Sequence, residues 1–229
     1  MSDYGSQTVH SKNPFARFAH RSRIEKSICL ARRLATGRIL DYGCGSGLFV
    51  ERMNRTGGNL AVGYEPFMDE RTANGLPIFR EYEAVRSYGP FLLITLFETV
   101  EHLTDEELAE FLSRCSELLA GDGELLISAP IEIGPALFLK EMNRSLRSFA
   151  IPDYQLGEFL KAGIFGIAAR RAPNVKLSHR GFDFRQAIRK MEFHGWRVSV
   201  LEYGPLPLPG WYGNSQVYLT ARKHRDAGG

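Results

Sequence analysis

The sequence predicts an α/β fold built on a parallel, doubly wound sheet. Apolar strand-like segments alternate along the chain with helix-like segments, and this alternation is typical of parallel strands joined by helical crossovers. The apolar segment Ile39–Tyr42 runs into a glycine-rich turn and then into a helix-like segment. A second apolar run, Phe91–Leu96, lacks polar alternation, as expected of a strand buried on both faces. Such a sheet binds ligands outside the carboxyl ends of its strands.

The turn that follows the first strand has glycine at every second position of residues 43–47. Glycine lets the backbone turn tightly and approach a ligand, and the next helix directs free N–H groups toward it. Asp41 precedes the turn, and Glu65 ends the second strand eighteen positions beyond Gly47, where a carboxylate can accept hydrogen bonds from a ribose diol. Leu48 replaces the third glycine of the dinucleotide fingerprint, which disfavours NAD and FAD. An ordinary βα turn and a solvated strand-end carboxylate are the alternatives.

The remaining elements follow in chain order. Asn13 and Pro14 are a cap and a first helical residue, so residues 1–36 are predicted to form an N-terminal helical cap. A weak third strand covers 76–79, and Thr104 to Glu107 form a capping box. After the helix that the box opens, a strand covers 124–129 and a helix covers 182–194. Two final strands, at 196–203 and 215–223, form a hairpin-like pair. The helix opened by the capping box has an apolar stripe. The stripe consists of Leu108, Phe111, Leu112, Cys115, Leu118 and Leu119.

Residues 131–180 fit no strand–helix unit and are predicted to form a helical lid insertion. The segment mixes apolar residues with more basic than acidic ones. An insertion at this place covers the ligand crevice, so we expect it to carry substrate selectivity. Because it is amphipathic and basic, peripheral contact with a membrane surface or a lipid-linked substrate is the second interpretation.

Composition excludes several classes of protein. The chain is 44% hydrophobic and 24% charged, which is typical of a globular protein. A net charge of +3 and a pI near 8.8 are too weakly basic to indicate nucleic acid. Three cysteines without paired spacing disfavour a disulfide scaffold and a zinc site. With no signal-peptide pattern and no run of ~20 apolar residues, the sequence predicts a cytoplasmic protein.

The segment from Asp41 to Gly47 resembles motif I of the class I S-adenosylmethionine (SAM)-dependent methyltransferases. The resemblance covers about 37–129 well and 182–223 loosely, but not the insertion. It implies a seven-stranded Rossmann-like methyltransferase sheet, mostly parallel with an antiparallel last strand, in a domain that spans 37–229. It also implies that SAM is held through its methionine part and its ribose, the latter by Glu65, while the choice between Glu81 and Glu83 for adenine stays open. The other implied cofactor residues are Asp41, Gly43, Cys44, Gly45, Gly47 and Phe97.

The segment Glu98-x-x-Glu101-His102 follows the apolar strand 91–96. Two carboxylates and one imidazole suit Mg²⁺, Mn²⁺ or Fe²⁺ better than structural zinc. The segment resembles that of ubiquinone-pathway O-methyltransferases, which use it for a divalent metal. Small-RNA 2′-O-methyltransferases add a later histidine, and His179 falls near that place. The alternatives are that His102 is a metal-free base or substrate contact, that the segment is structural, and that His179 is a local hydrogen-bonding residue.

The resemblance implies a SAM-dependent methyltransferase, with S-adenosylhomocysteine (SAH) as its product. An oxygen acceptor needs its proton removed by a base or a metal, and Glu98, His102 and His179 are the residues predicted to activate or orient it. The basic, aromatic insertion favours a small sugar, lipid-linked or quinone-like acceptor. An RNA 2′-O-methyltransferase is disfavoured by the modest basicity and the lack of an appended RNA-binding module. A non-catalytic SAM-binding regulator is the third possibility. Oligomeric state is not predicted.

Overall fold

The computed structural model describes residues 14–35, 37–55, 61–68, 75–138, 140–141, 154–171, 180–206 and 210–224, with the backbone alone for 14–20. His179 and much of the predicted insertion lie outside these residues. The prediction of an N-terminal cap at 1–36 and a domain at 37–229 stays a prediction.

Helices and strands alternate through most of the described chain. The helices are α1 (Pro14–Leu34), α2 (Leu48–Asn54), α3 (Tyr82–Tyr88), α4 (Asp105–Leu118), α5 (Leu156–Phe165) and α6 (Phe184–Phe193). The strands are β1 (Ile39–Tyr42), β2 (Ala61–Tyr64), β3 (Ile78–Phe79), β4 (Phe91–Phe97), β5 (Leu119–Pro130), β6 (Trp196–Gly204) and β7 (Gln216–Lys223). They form one sheet in the order β3-β2-β1-β4-β5-β7-β6. The predicted seven-stranded α/β fold is confirmed.

The chain divides into two compact units, and the described residues of the first lie within 14–97 and 113–126. In this unit β1 pairs in parallel with β2 and with β4, and β2 pairs in parallel with β3. Leu40 of β1 lies opposite Val62 and Ile94, and all three side chains are buried. Because the strands on both sides of β1 are also apolar and buried, the glycine turn follows a central, buried strand of this unit.

The second unit comprises the described residues within 98–112 and 127–224. Its strands β6 and β7 are antiparallel from Trp196 opposite Lys223 to Gly204 opposite Gln216, as predicted for the final pair. Asp183 caps α6, since its carboxylate accepts a hydrogen bond from the Arg185 N–H. This cap explains why the helix begins at Phe184 rather than at the predicted residue 182.

The predicted capping box of α4 is confirmed. The Thr104 N–H donates to Glu107 Oε2 at 2.9 Å, and the Glu107 N–H donates to Thr104 Oγ1 at 3.2 Å. One expectation was wrong. Strand β5 begins at Leu119, which had been assigned to the helix stripe, because the backbone stays extended through Gly121 and Gly123 into the predicted strand.

Among the residues that the structure describes, no helix is both long enough and apolar enough to cross a membrane.

Candidate active site

The glycine turn between β1 and α2 adopts a backbone that other residues rarely accept. Gly43, Gly45 and Gly47 have φ values of 73°, 53° and 75°, a region that L side chains disfavour. The Gly43 N–H donates to the Tyr64 carbonyl at 2.8 Å, so the turn is fixed to the end of β2. Gly47 is the residue from which α2 starts. The turn therefore exposes backbone rather than side chains to whatever it binds.

Asp41, at the carboxyl end of β1, is a buried acid with one neutral partner. Its side chain is 4% exposed, and its Oδ1 accepts a hydrogen bond from Thr95 Oγ1 at 2.8 Å. Burial raises the pKa of Asp41 from 3.8 to about 7, while the Thr95 hydrogen bond lowers it and the nearby Glu65 charge raises it. Below about pH 7 this carboxyl is mostly neutral in the unliganded chain, and a cationic ligand would favour its ionised form.

Glu65 directly follows β2 and binds the glycine turn. Its Oε2 accepts the Gly45 N–H at 3.1 Å, and its Oε1 accepts the Phe67 N–H at 3.3 Å. A carboxylate has about four acceptor positions, so two backbone donors orient the group without exhausting it. The predicted grouping of Asp41, the turn and Glu65 is therefore present in the first unit, although their binding roles remain predictions.

Cys44 and Phe97, also predicted at the cofactor site, have mainly packing contacts in the described structure. A Cβ added to Gly63 would lie 2.5 Å from Cys44 Sγ, so the thiol occupies the space above that glycine. Burial, above all, raises the pKa of the Cys44 thiol well above its ordinary value. The Phe97 ring meets Phe49 edge-on, with centroids 5.1 Å apart. Contact of either residue with SAM stays a prediction.

Glu98, the first residue after β4, has a strained backbone and a fixed side chain. Its φ of 50° is the only positive value among the described non-glycine residues, and such conformations concentrate at functional sites. The Glu98 N–H donates to Ser128 Oγ at 3.2 Å, and Ser128 Oγ lies 3.1 Å from Glu98 Oε1. Gln216 Nε2 donates to the same carboxylate oxygen. These contacts hold the carboxylate in one orientation.

Glu101 and His102 lie together on the 3₁₀ turn Val100–His102. The Glu101 side chain is fully buried, and its Oε1 is 3.9 Å from Nε2 of the partly exposed His102. Burial is the main cause that raises the pKa of Glu101 to about 8, and the Glu98 charge raises it further. Arg171 Nη2 donates to the Glu101 carbonyl, which anchors the turn.

Lys140 and Glu132 form a second pair of charges whose electrostatic effect reaches Glu101. Lys140 Nζ lies 2.9 Å from Glu132 Oε1 and also donates to the Ile131 carbonyl at 2.9 Å and the Ser215 carbonyl at 3.3 Å. The pKa of Glu101 is raised slightly by Glu132 and lowered by Lys140. Lys140 is therefore paired with Glu132, and its charge also acts on Glu101.

The structure does not support the predicted metal site within the described part of the chain. There, no group of three His, Cys, Asp or Glu side chains is placed to hold a metal ion. Glu98, moreover, is held by neutral donors, the hydroxyl of Ser128 and the amide of Gln216. Glu98, Glu101 and His102 thus do not fit a metal site by themselves, and a site that includes His179 stays a prediction.

Sequence reasoning missed the side chains that position the predicted ones. Thr95, Ser128 and Gln216 are short or neutral polar residues within strands, with no motif to mark them. Each is nevertheless nearly fully buried, at 0%, 2% and 2% exposure. Thr95, a polar residue inside the otherwise apolar strand β4, was the one available signal, because a buried polar group needs a partner.

Comparison with known proteins agrees with this geometry. A family model described as "Methyltransferase domain" matches residues 15–161. The ubiquinone biosynthesis O-methyltransferase of Rhodopseudomonas palustris strain HaA2 is 28% identical over an alignment 157 positions long, which covers 62% of this chain and 56% of that protein. The chain thus spans about half the length of the curated relatives it matches.

Two solved structures share the fold. A SAM-dependent methyltransferase of Thermotoga maritima has a TM-score of 0.54 at 18% identity, with 90% of each chain covered. The magnesium protoporphyrin IX methyltransferase of Synechocystis, with bound SAH, has a TM-score of 0.51 at 12% identity, with 92% of this chain and 88% of that chain covered. Because the family model covers more than half of the chain, this protein belongs to the family of methyltransferase domains.

Proposed function

We propose that the protein transfers a methyl group from SAM to an oxygen atom of a small-molecule acceptor. The observation that supports an oxygen acceptor is the pair of buried Glu101 and partly exposed His102, with Glu101 Oε1 3.9 Å from His102 Nε2. A partly exposed imidazole can act as the general base that removes a hydroxyl proton, and the neighbouring acid can orient it. Family membership and the glycine turn support SAM as the methyl donor.

In the first unit, we assign the two ends of SAM to two carboxyl groups. Asp41 receives the ammonium group of the methionine part, since a cation favours the ionised form of a carboxyl that burial keeps neutral. Glu65 receives the ribose hydroxyls through acceptor positions beyond its two backbone contacts. The turn from Gly43 to Gly47 allows the methionine part to lie against the backbone.

In the second unit, we assign the proton transfer to His102. Its Nε2 faces Glu101, so Nδ1 is the nitrogen that takes the proton from the acceptor hydroxyl. The oxygen lone pair then forms the bond to the methyl carbon, the carbon–sulfur bond breaks, and its electron pair stays on sulfur to give SAH. In its ionised form, which burial disfavours below about pH 8, Glu101 stabilises the resulting imidazolium. Glu98, fixed by Ser128 and Gln216, accepts a hydrogen bond from the acceptor and orients it.

The acceptor belongs to the sugar, lipid-linked or quinone-like class. The names of the relatives, ubiquinone biosynthesis O-methyltransferases, support a quinone-like molecule. No described feature favours RNA over these acceptors. A metal contribution through His179 is tested below with a chelator.

The experiment uses SAM labelled on its methyl group together with an extract of the source cells. We expect label in the small-molecule or lipid fraction, a loss of about 10²–10⁴-fold in His102→Ala, and no loss in the control His194→Ala. His194 is an exposed residue at the end of α6 and therefore tests for histidine removal as such. SAH binding should be equal in all three proteins.

Four results would contradict parts of this proposal. Label in the RNA fraction would replace the small-molecule acceptor with RNA. Full activity of His102→Ala would remove the base assignment, and activity lost on chelation would restore the metal prediction. SAH binding without any transferred label would indicate a non-catalytic SAM-binding protein.

A further inference from the structure

Helix α5 presents an apolar face to solvent. Leu156, Leu160 and Ile164 follow one another at every fourth position and are 74%, 42% and 49% exposed. Phe165, at the end of the helix, is 70% exposed. At 3.6 residues per turn these positions, with Lys161 between them, cover about half of the helix circumference. We call these five residues the α5 face.

The opposite side of α5 is firmly packed, so the exposure is not the result of a loosely held helix. Ala162 and Gly163 are buried there, and Phe138 lies so close to Gly163 that a Cβ could not be added without a shift. Phe159 meets the Phe138 ring edge-on, with centroids 4.7 Å apart. The small residues thus anchor the helix, and the large ones stay outside.

Basic residues outnumber acidic ones in the stretch 154–171, which contains the α5 face. Lys161 is the charged residue within the face, and exposed Arg170 follows beyond the helix. The single acidic residue of 154–171 is Glu158, and its carboxylate is paired with Arg180 at 2.8 Å. The surface is therefore apolar and basic, and its acidic group is already neutralised.

Aromatic side chains extend this surface beyond the helix end. The Trp211 indole covers Gly166, the residue that ends α5, and the neighbouring Tyr212 is 56% exposed. Exposed Ile167 lies in the same stretch of chain. Tyr and Trp favour the boundary between apolar and aqueous phases because their rings are apolar and their polar ends hydrogen-bond to water.

We propose that the α5 face binds the surface of a membrane that contains anionic lipids. A helix with bulky apolar side chains on one side and basic residues beside them lies in the plane of the membrane interface, and each Lys or Arg there is attracted by the negative surface potential. Charge complementarity selects this partner over a second copy of the chain, since a twofold contact through the face would bring like charges together. The proposal is independent of the acceptor and of catalysis.

The test measures binding of the full chain to vesicles by co-sedimentation. One set contains phosphatidylcholine alone, and the other contains added phosphatidylglycerol. We expect tighter binding to the anionic set, and about tenfold or more loss of that binding in the double variant Leu160→Ser with Ile164→Ser. Lys161→Gln should lose about fivefold on anionic vesicles and nothing on neutral ones.

The matched control is Phe193→Ser, which removes a large side chain that is 87% exposed at the end of α6. It should bind like the unchanged protein. Thermal unfolding midpoints verify that the variants fold, and Phe165→Ser replaces the double variant if that one does not. Equal binding by wild type and variants, or no preference for anionic vesicles, would overturn the proposal. So would a wild-type dimer in sedimentation velocity that the double variant converts to monomer, because the face would then be covered by a second copy.

Discussion

Replacing Asp41 with asparagine should remove a pH dependence that the buried carboxyl imposes on the protein. The pKa of Asp41 rises from 3.8 to about 7 in the folded chain, mainly through burial. At about 1.4 kcal/mol per pH unit, this difference corresponds to about 4 kcal/mol. Because the folded pKa is the higher one, the contribution of Asp41 to the free energy of unfolding is largest below pH 3.8, where the group is protonated in both states. This contribution is lost as pH rises to about 7. Asparagine has nearly the same shape and no such titration.

The same titration should appear in ligand binding. If the ammonium group of SAH binds ionised Asp41, the carboxyl must lose its proton on binding below pH 7. The affinity should then rise about tenfold per pH unit up to about pH 7 and stay level above it. In Asp41→Asn the slope should be absent, and the affinity at pH 8 should be lower by about 10- to 100-fold, as for a hydrogen bond to a charged group.

The assay is isothermal titration calorimetry with SAH from pH 5.5 to 8.5, accompanied by urea unfolding of the unliganded protein at each pH. Thr95→Val is the matched control, since it removes the hydrogen bond that lowers the pKa of Asp41 and should move the midpoint upward. Identical pH profiles for wild type and Asp41→Asn would refute the reasoning. An unchanged midpoint in Thr95→Val would show that the hydrogen bond does not set the pKa.

Three further changes test the other assignments. Glu65→Ala should weaken SAH binding by about 2–3 kcal/mol, because it removes a charged hydrogen-bonding partner; calorimetry showing unchanged affinity would exclude the ribose role. Gly63→Ala should cost about 1–3 kcal/mol in urea unfolding because the new methyl meets Cys44 Sγ, and Cys44→Ala should restore part of that loss; no recovery in the double variant would place the strain elsewhere. Gln216→Leu should lower kcat by about tenfold or more while SAH affinity stays constant, because the Glu98 carboxylate loses a donor that orients it; equal losses in kcat and SAH affinity would indicate general damage to the fold.

Much of the fold could be predicted because its signals are local. The glycines at 43, 45 and 47 require a backbone that other residues disfavour, and the structure has positive φ at each. The Thr104–Glu107 box forms its two hydrogen bonds within a single turn. The unbroken apolar run of β4 predicts a central strand, since only a strand with neighbours on both sides buries such a run.

The partners of the functional side chains could not be predicted in this way. Thr95 lies 54 positions from Asp41, and Gln216 lies 118 positions from Glu98. These contacts depend on how distant strands come together in the fold, and the sequence near either residue does not record that arrangement. The same is true of the raised pKa of Asp41, which follows from the depth of burial rather than from its neighbours in the chain.

The sequence by itself determined the residue types of the cofactor turn, the alternation of strands and helices, and the family. The tertiary structure alone decided which polar groups meet, which carboxyls burial keeps neutral, and which side of α5 faces solvent. Residues Leu156 to Phe165 fall within the predicted amphipathic insertion, but the sequence does not fix which of their side chains are buried: small Ala162 and Gly163 pack inward, Gly163 against Phe138, and the large side chains at 156, 160, 164 and 165 lie outside. The physical reason is that hydrophobicity makes burial of a side chain favourable, whereas the steric fit between distant elements decides which side chains are buried.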